Sequence, residues 1–220
     1  MIHWEKVDWV LLDMDGTLLD LYFDSFFWME LVPQTLAQRI NPEPDASQVD
    51  QAREQVRQLY TQVAGTLNWY CTDYWADTLN LPIMAMKREV DHLIGFRPQA
   101  EEFLAWLQHA QKHTLIVTNA HRDNFSLKAE KTGLDRLVDQ VVSSHDYQEP
   151  KESPAFWQHL SADKHLDLSR SLLIDDSEAV LHTAQEAGVG QLLCIRQPDS
   201  RRPPRDNLKF QAIQHFKEIF

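Results

Sequence analysis

Cysteine is nearly absent from this 220-residue chain: Cys71 and Cys194 are its only two, far apart and in no C-x-x-C pair. That spacing excludes a disulfide framework, argues against a zinc–thiolate site and leaves two buried thiols as the expectation. Positive charge is in deficit as well. Lys and Arg number 21 against 33 Asp and Glu, a formal net charge of -12. Such a surface repels phosphodiester backbones, so no nucleic-acid partner is expected. A small anionic substrate stays compatible if local cations offset its charge. Long apolar runs are missing too. The chain opens on Met-Ile-His-Trp-Glu-Lys, and no stretch reads as a signal peptide or membrane span. No membrane partner and a cytoplasmic location follow as expectations. Disorder is excluded from the other side, because hydrophobic residues make up 43% and charge is mixed. The length suits one core plus a modest insertion.

Residues 7–14 hold a short apolar run that stops at Asp15-Gly16, which predicts a buried strand entering a turn. Residues 21–93 have another texture. Phe23, Phe26, Phe27 and Leu31, then Val56, Leu59, Tyr60 and Val63, recur at helical spacing. Between them Asn41-Pro-Glu-Pro-Asp-Ala-Ser reads as a loop, with Asp45 or Ser47 available as a helix cap. From residue 94 the two patterns alternate. Helices are predicted over 98–109, 122–132, 154–160 and 178–187, and strands over 114–118, 140–143, 171–174 and 191–195, with Gly133 and Gly188 as helix stops. This alternation predicts an α/β fold: a Rossmann-like parallel sheet covered on both faces. Residues 1–20 and 94–220 form the core, and 21–93 an inserted all-helical cap. The insertion leaves from the end of the first strand, so it sits over the carboxyl edge of the sheet, where open α/β sheets bind ligands. The segment 196–205, with four arginines and three prolines, reads as an exposed, solvated loop.

Chemistry concentrates at the predicted strand ends. In Asp13-Met-Asp-Gly-Thr17 two carboxylates one residue apart point to the same side of an extended chain, and Gly16 permits a sharp turn beyond them. A calcium loop starting at Asp13 would need glycine where Leu18 stands, and a helix before it where a strand is predicted. Taken alone, the motif could also be a turn decorated by Asp. But Thr118 closes the next predicted strand, Lys151 follows Glu149-Pro150 after the third, and Asp175 and Asp176 close the fourth. In a parallel sheet those positions converge on one edge.

This series resembles the signature of phosphatases of the haloacid dehalogenase (HAD) superfamily, over almost the whole chain. The resemblance implies that Asp13 is a nucleophile and Asp15 a general acid and base. Thr118, followed by Asn119, would bind the substrate phosphate, and Lys151 would steady both phosphate and nucleophile. A Mg²⁺ cofactor would be held by Asp13, Asp15 through its backbone carbonyl, and the Asp175–Asp176 pair. The helical insertion matches the superfamily's cap domain. Physical chemistry agrees, since an anionic ester and an anionic nucleophile need their repulsion offset, and Mg²⁺ prefers hard oxygen ligands. Dehalogenases of the superfamily lack an acid where Asp15 stands, because halide leaves unprotonated. Phosphosugar phosphatases and mutases keep both aspartates, so these motifs do not separate them. A non-catalytic binding protein would need neither nucleophile nor acid.

The leaving group is to be read from the insertion. Thr66-Leu-Asn-Trp-Tyr-Cys-Thr-Asp-Tyr-Trp75 combines flat rings with an amide and an acid. Trp69 stacking on a purine and Asn68 or Asp73 on its edge is one reading. Leu67, Tyr70 and Tyr74 as one buried helix face is the other. The blocks 12–21, Phe27-Trp28, Leu31-Val-Pro33, Leu67-Asn-Trp-Tyr-Cys71, Thr118-Asn-Ala-His121 and Asp175-Asp-Ser-Glu-Ala179 together resemble bacterial GMP/IMP 5′-nucleotidases, which implies a purine mononucleotide substrate. His121 reads as a helix-entry or surface residue, since Asp15 already fills the proton-transfer role. The other histidines are scattered without metal-binding spacing.

Overall fold

The computed structural model describes residues 2–220. They form six strands: β1 (Trp9–Leu12), β2 (His113–Thr118), β3 (Gln140–Ser143), β4 (Ser171–Asp175), β5 (Gln191–Ile195) and β6 (Ala212–Ile213). These make one sheet in the order β3-β2-β1-β4-β5-β6, with every neighbouring pair parallel. Between β1 and β2 the chain runs through α1 (Tyr22–Phe26), a π-type turn (Phe27–Leu31), α2 (Val32–Ile40), α3 (Ala46–Val63), α4 (Leu67–Tyr70), α5 (Thr72–Leu79) and α6 (Ile83–Glu89), then α7 (Ala100–His109). The crossover helices α8 (Arg122–Thr132), α9 (Pro154–Lys164) and α10 (Glu178–Glu186) follow. No helix among the described residues is long and apolar enough to cross a membrane.

Strands covered on both faces carry unbroken apolar runs, because neither side of the pleat meets water. Val10, Leu12, Ile116 and Ile174 pack on one face with Phe103, Leu107 and Leu127 of α7 and α8. Leu11, Leu115, Val117 and Leu173 pack on the other with Phe156, Trp157 and Leu181 of α9 and α10. The helical cap owns a separate core around Phe27, Val56, Tyr60, Trp75 and Ile83. Asp45, not Ser47, caps α3: its carboxylate accepts from Gln48 N while Gln48 Oε1 accepts from Asp45 N.

The expected strand over 7–14 is shorter in the fold, since β1 ends at Leu12. Met14 is buried but already in the turn, where its carbonyl accepts from Leu18 N and Leu19 N. Burial alone therefore overstated the strand. β6, two residues long, has no periodicity to reveal it. The expected face of Leu67, Tyr70 and Tyr74 is only half-buried, and Thr72, Trp75 and Leu79 are buried instead. The helix breaks at Cys71, so the spacing of three and four does not carry across. The segment 196–205 also departs from a free loop. Arg205 reaches back to donate to the carbonyls of Asp176, at 2.6 Å, and Ile195.

Candidate active site

The register brings the strand ends together. Leu12 pairs with Ile116 on one side and Ile174 on the other. Asp13, next along the chain, thus emerges beside the end of β2 and Asp175, the last residue of β4, and its N–H donates to Ile174 O. Gly16 turns the chain away at φ +86°; a Cβ there would stand 2.9 Å from both Asp176 Cγ and Pro198 Cβ, so the turn has room only for glycine. Lys151, 2% exposed, reaches in from the loop after β3. Its Nζ donates to Asp13 Oδ1 at 2.6 Å, Asp175 Oδ2 at 2.7 Å and Val117 O at 3.1 Å. Asn119 Oδ1 accepts from Lys151 N, and Trp157 Nε1 donates to Lys151 O, which locks the loop that carries it.

Two carboxylates share this one ammonium, and a third lies beside them. Asp13, Asp175 and Asp176 each bring an oxygen within 4.8 Å of the others. Burial pushes the Asp13 carboxyl up to about 6, against the pull of Lys151 and with a further push from Asp175. Burial, then the charges of Asp13 and Asp175, drives Asp176 well above the usual carboxylate range. Burial opposes the charge on Lys151, but Asp13 and Asp175 together hold its ammonium above its ordinary value. Asp13 Oδ2 is buried and makes no hydrogen bond within the protein. An orphan carboxylate oxygen among under-neutralised acids fits a hard divalent cation, which takes oxygen ligands and cancels the excess charge.

Asp15 belongs to a second network that sequence reasoning missed. The buried Lys128 of α8 bridges Asp15 and Asp24, and Lys87 of α6 donates to Asp24 at 2.9 Å. Burial pushes the Asp15 carboxyl up to about 6, with Lys128 pulling down and Asp24 pushing up. Burial works against Asp24 too, but Lys128 and Lys87 hold it well below the usual carboxylate range. Lysines on helices usually mark the wet face, so nothing local singled out Lys87 or Lys128. Lys128 lies one turn beyond Asn124, and the structure buries both.

A cavity of about 350 Å³ opens over these groups, within the range that holds small molecules. Asp13, Asp15, Thr118, Asn119, Lys151, Asp175 and Asp176 line its floor. Trp28, Tyr60, Trp69 and Tyr70 from the cap line it as well. Asn68 is exposed and lies outside this lining; only its neighbour Trp69 faces in. Two buried polar atoms in the wall, Thr72 Oγ1 and Asn124 Oδ1, have no hydrogen-bond partner. Cap and core meet where Tyr70 OH donates to Glu152 Oε1 at 2.6 Å and Asn119 Nδ2 to Glu152 Oε2 at 3.0 Å. Glu152, beside Lys151 in sequence, carried no signal of this cross-domain role.

A sequence profile described as haloacid dehalogenase-like hydrolase matches residues 10–193. The protein GMP/IMP nucleotidase YrfG of Escherichia coli (strain K12) is 43% identical over 218 residues, covering 99% of this chain and 96% of that protein. Among solved structures, a HAD phosphatase from Thermococcus onnurineus superposes with a TM-score of 0.76 at 20% identity, covering 96% of this chain and 95% of that one. A HAD family enzyme from Bacteroides thetaiotaomicron, in complex with magnesium and inorganic phosphate, gives 0.62 at 11% identity over 87% and 95%. At these identities the two structures speak to the fold alone.

Proposed function

Because the chain belongs to the haloacid dehalogenase-like hydrolase family, we propose that it is a magnesium-dependent phosphatase that hydrolyses purine nucleoside 5′-monophosphates through an aspartyl-phosphate. Residues 21–93 act as the cap that closes over the leaving group, and 1–20 with 94–220 as the catalytic core. One observation carries the reading: an unpartnered, buried Asp13 oxygen at the floor of a cavity whose cap side is built from aromatic rings. The 43% identity to a GMP/IMP nucleotidase supports the same substrate class.

In this mechanism a carboxylate oxygen of Asp13 attacks phosphorus and the P–O5′ bond breaks. Asp15, whose carboxyl is pushed up to about 6, keeps a protonated fraction near neutrality and delivers that proton to the departing O5′. The resulting Asp15 carboxylate then takes a proton from water, whose oxygen attacks phosphorus and frees the Asp13 carboxylate and inorganic phosphate. Lys151 holds the nucleophile in place and offsets the charge brought by the phosphate. Thr118 and Asn119, at the end of β2, bind phosphate oxygens. Asp13, the Asp15 carbonyl and the Asp175–Asp176 pair would hold Mg²⁺, which when bound would supply charge neutralisation for phosphoryl transfer. Chelation by EDTA is therefore expected to stop phosphate release and added Mg²⁺ to restore it. Full turnover in rigorously metal-free protein would remove this part of the reading.

Substrate choice rests on the cap. Trp69 is half-buried, edge-on to Tyr60 at 5.4 Å, with one side towards the cavity. Trp28, from the π-type turn, lines the same space. The orphan acceptor Asn124 Oδ1 suits a donor such as the N1–H that both guanine and hypoxanthine carry. Stacking contributes about 1–3 kcal/mol per base in nucleic-acid complexes, roughly ten- to hundredfold in affinity. Trp69→Ala is accordingly expected to raise KM for IMP by about that factor, with much less change for a small chromogenic phosphate. Equal losses on both substrates, or an unmutated enzyme that prefers a hexose phosphate across a panel of monoesters, would refute the purine assignment.

A further inference from the structure

Outside the carboxylate centre, the fold gathers a second set of metal-binding side chains that are far apart in sequence. Cys71 sits in the cap at the break between α4 and α5, His121 at the entry to α8 after β2, and His145 in the short turn after β3. One ligand atom of each lies within 4.8 Å of the other two. A zinc-type ion with sulfur at about 2.3 Å and nitrogen at about 2.0–2.1 Å holds such atoms roughly 3.3–3.6 Å apart, so shifts of about 1 Å complete the site.

The ring chemistry points the same way. His145 Nε2 is buried and has no hydrogen-bond partner, an unusual state for a polar atom. The His145 ring therefore offers a buried ligand atom that no group of the protein occupies. His121 packs edge-on against it, ring centres 4.9 Å apart. His121 Nδ1 accepts from Asp123 N and lies 3.7 Å from the Asp123 carboxylate, while Nε2 is 3.8 Å from the Asp73 carboxylate. Ligation at Nε2 moves the ring proton to Nδ1, within reach of Asp123, and the Cys71 thiol releases its proton to solvent. Asp73, exposed at the rim, is available as a fourth ligand in place of water.

We infer that Cys71, His121 and His145 form a binding site for a zinc-class transition metal ion that pins the cap to the core. A thiolate with two imidazoles selects such an ion over Mg²⁺, which the carboxylate centre suits. Because Cys71 belongs to the cap and both histidines to the core, the cap cannot lift while all three hold the ion. Asn119, two residues before His121, bonds Lys151 N and Glu152 through its side chain.

The test is a Co²⁺ titration of the full chain in excess Mg²⁺, which keeps the carboxylate site filled, read by the thiolate-to-cobalt charge-transfer band and followed by displacement with Zn²⁺. The expected result is one equivalent of Co²⁺ with that band, displaced by Zn²⁺. Cys71→Ser, which keeps an acceptor for Tyr74 N–H at the α5 cap, should abolish the band and lower Zn²⁺ affinity at least about a hundredfold. His145→Gln should weaken binding by a similar factor. A wild-type protein without the band, or a band that survives Cys71→Ser, would overturn the proposal. A readout on the unmutated chain guards against a misfolded variant: Zn²⁺ should protect Cys71 from alkylation and slow hydrogen exchange over residues 67–75. Unprotected alkylation at saturating Zn²⁺ would likewise overturn it.

Discussion

Asp13→Asn is expected to lower phosphatase turnover on the order of 10⁴-fold or more, the scale on which removal of a nucleophile disables other covalent hydrolases. The amide keeps the shape of the side chain and can still accept from Lys151, but it cannot attack phosphorus. The fold should not suffer. The Asp13 carboxyl is pushed up to about 6, above its value in an unfolded chain, so at higher pH its ionised form weakens the metal-free native state. A neutral amide removes that penalty, and Lys151 keeps Asp175 and the Val117 carbonyl as partners. In EDTA at neutral pH the variant should therefore melt at the wild-type temperature or above it, and the difference should shrink as the pH falls below about 6 and vanish only below the ordinary carboxylate value of 3.8, where Asp13 is protonated in both states. Residual activity above about 1%, with contaminating phosphatase excluded, would end the covalent mechanism. A large fall in melting temperature would instead mean that the lost activity reflects a damaged fold.

Lys151→Met should damage both stability and catalysis. The methionine fills most of the volume but removes the single cation shared by Asp13 and Asp175, and Asp176 adds a third carboxylate nearby. Breaking a buried charge pair by deleting one partner costs about 3–5 kcal/mol. In a chain of this length that lowers the melting temperature by about 10 °C. Without the ammonium the carboxyl groups rise further, so the deficit should be largest above their titration range and shrink as the pH falls through it. Turnover should drop by about 10²–10³-fold, the scale of losing one preorganised charge-stabilising group. Lys151→Arg is not expected to rescue it, because a planar guanidinium does not reproduce three bonds converging on one ammonium in a buried slot. If KM alone rises while kcat is unchanged, Lys151 is a substrate clamp and has no part in steadying the nucleophile.

Much of this site was legible in the chain itself, for a definite reason. Short unbroken apolar runs and helical stripes are written locally, and alternation between them points to a parallel sheet. Once the sheet is parallel, the residues just past each run must meet at one edge. Asp13, Thr118, Lys151, Asp175 and Asp176 could be brought together before any coordinate was known, and all line one cavity. The helical texture of residues 21–93 and the cap on α3 were local in the same sense.

What only the tertiary structure decided involves pairs that no local pattern links. Lys128 reaches Asp15 and Asp24 across more than a hundred residues of chain. Tyr70 finds Glu152 from the cap, and Arg205 folds back on the carbonyl of Asp176 from a segment that reads as solvated loop. Asn68 and Trp69 are neighbours in sequence, yet only Trp69 faces the cavity, because the end of α4 and the break at Cys71 set which way each points. Cys71 looked like an isolated thiol and His121 and His145 like scattered histidines until the crossover from β2 to β3 and the folding of the cap set them within 4.8 Å of one another. Periodicity records whether a residue is buried. Which partner it meets there depends on how the cap lies over the sheet, and that is settled by packing over the whole chain.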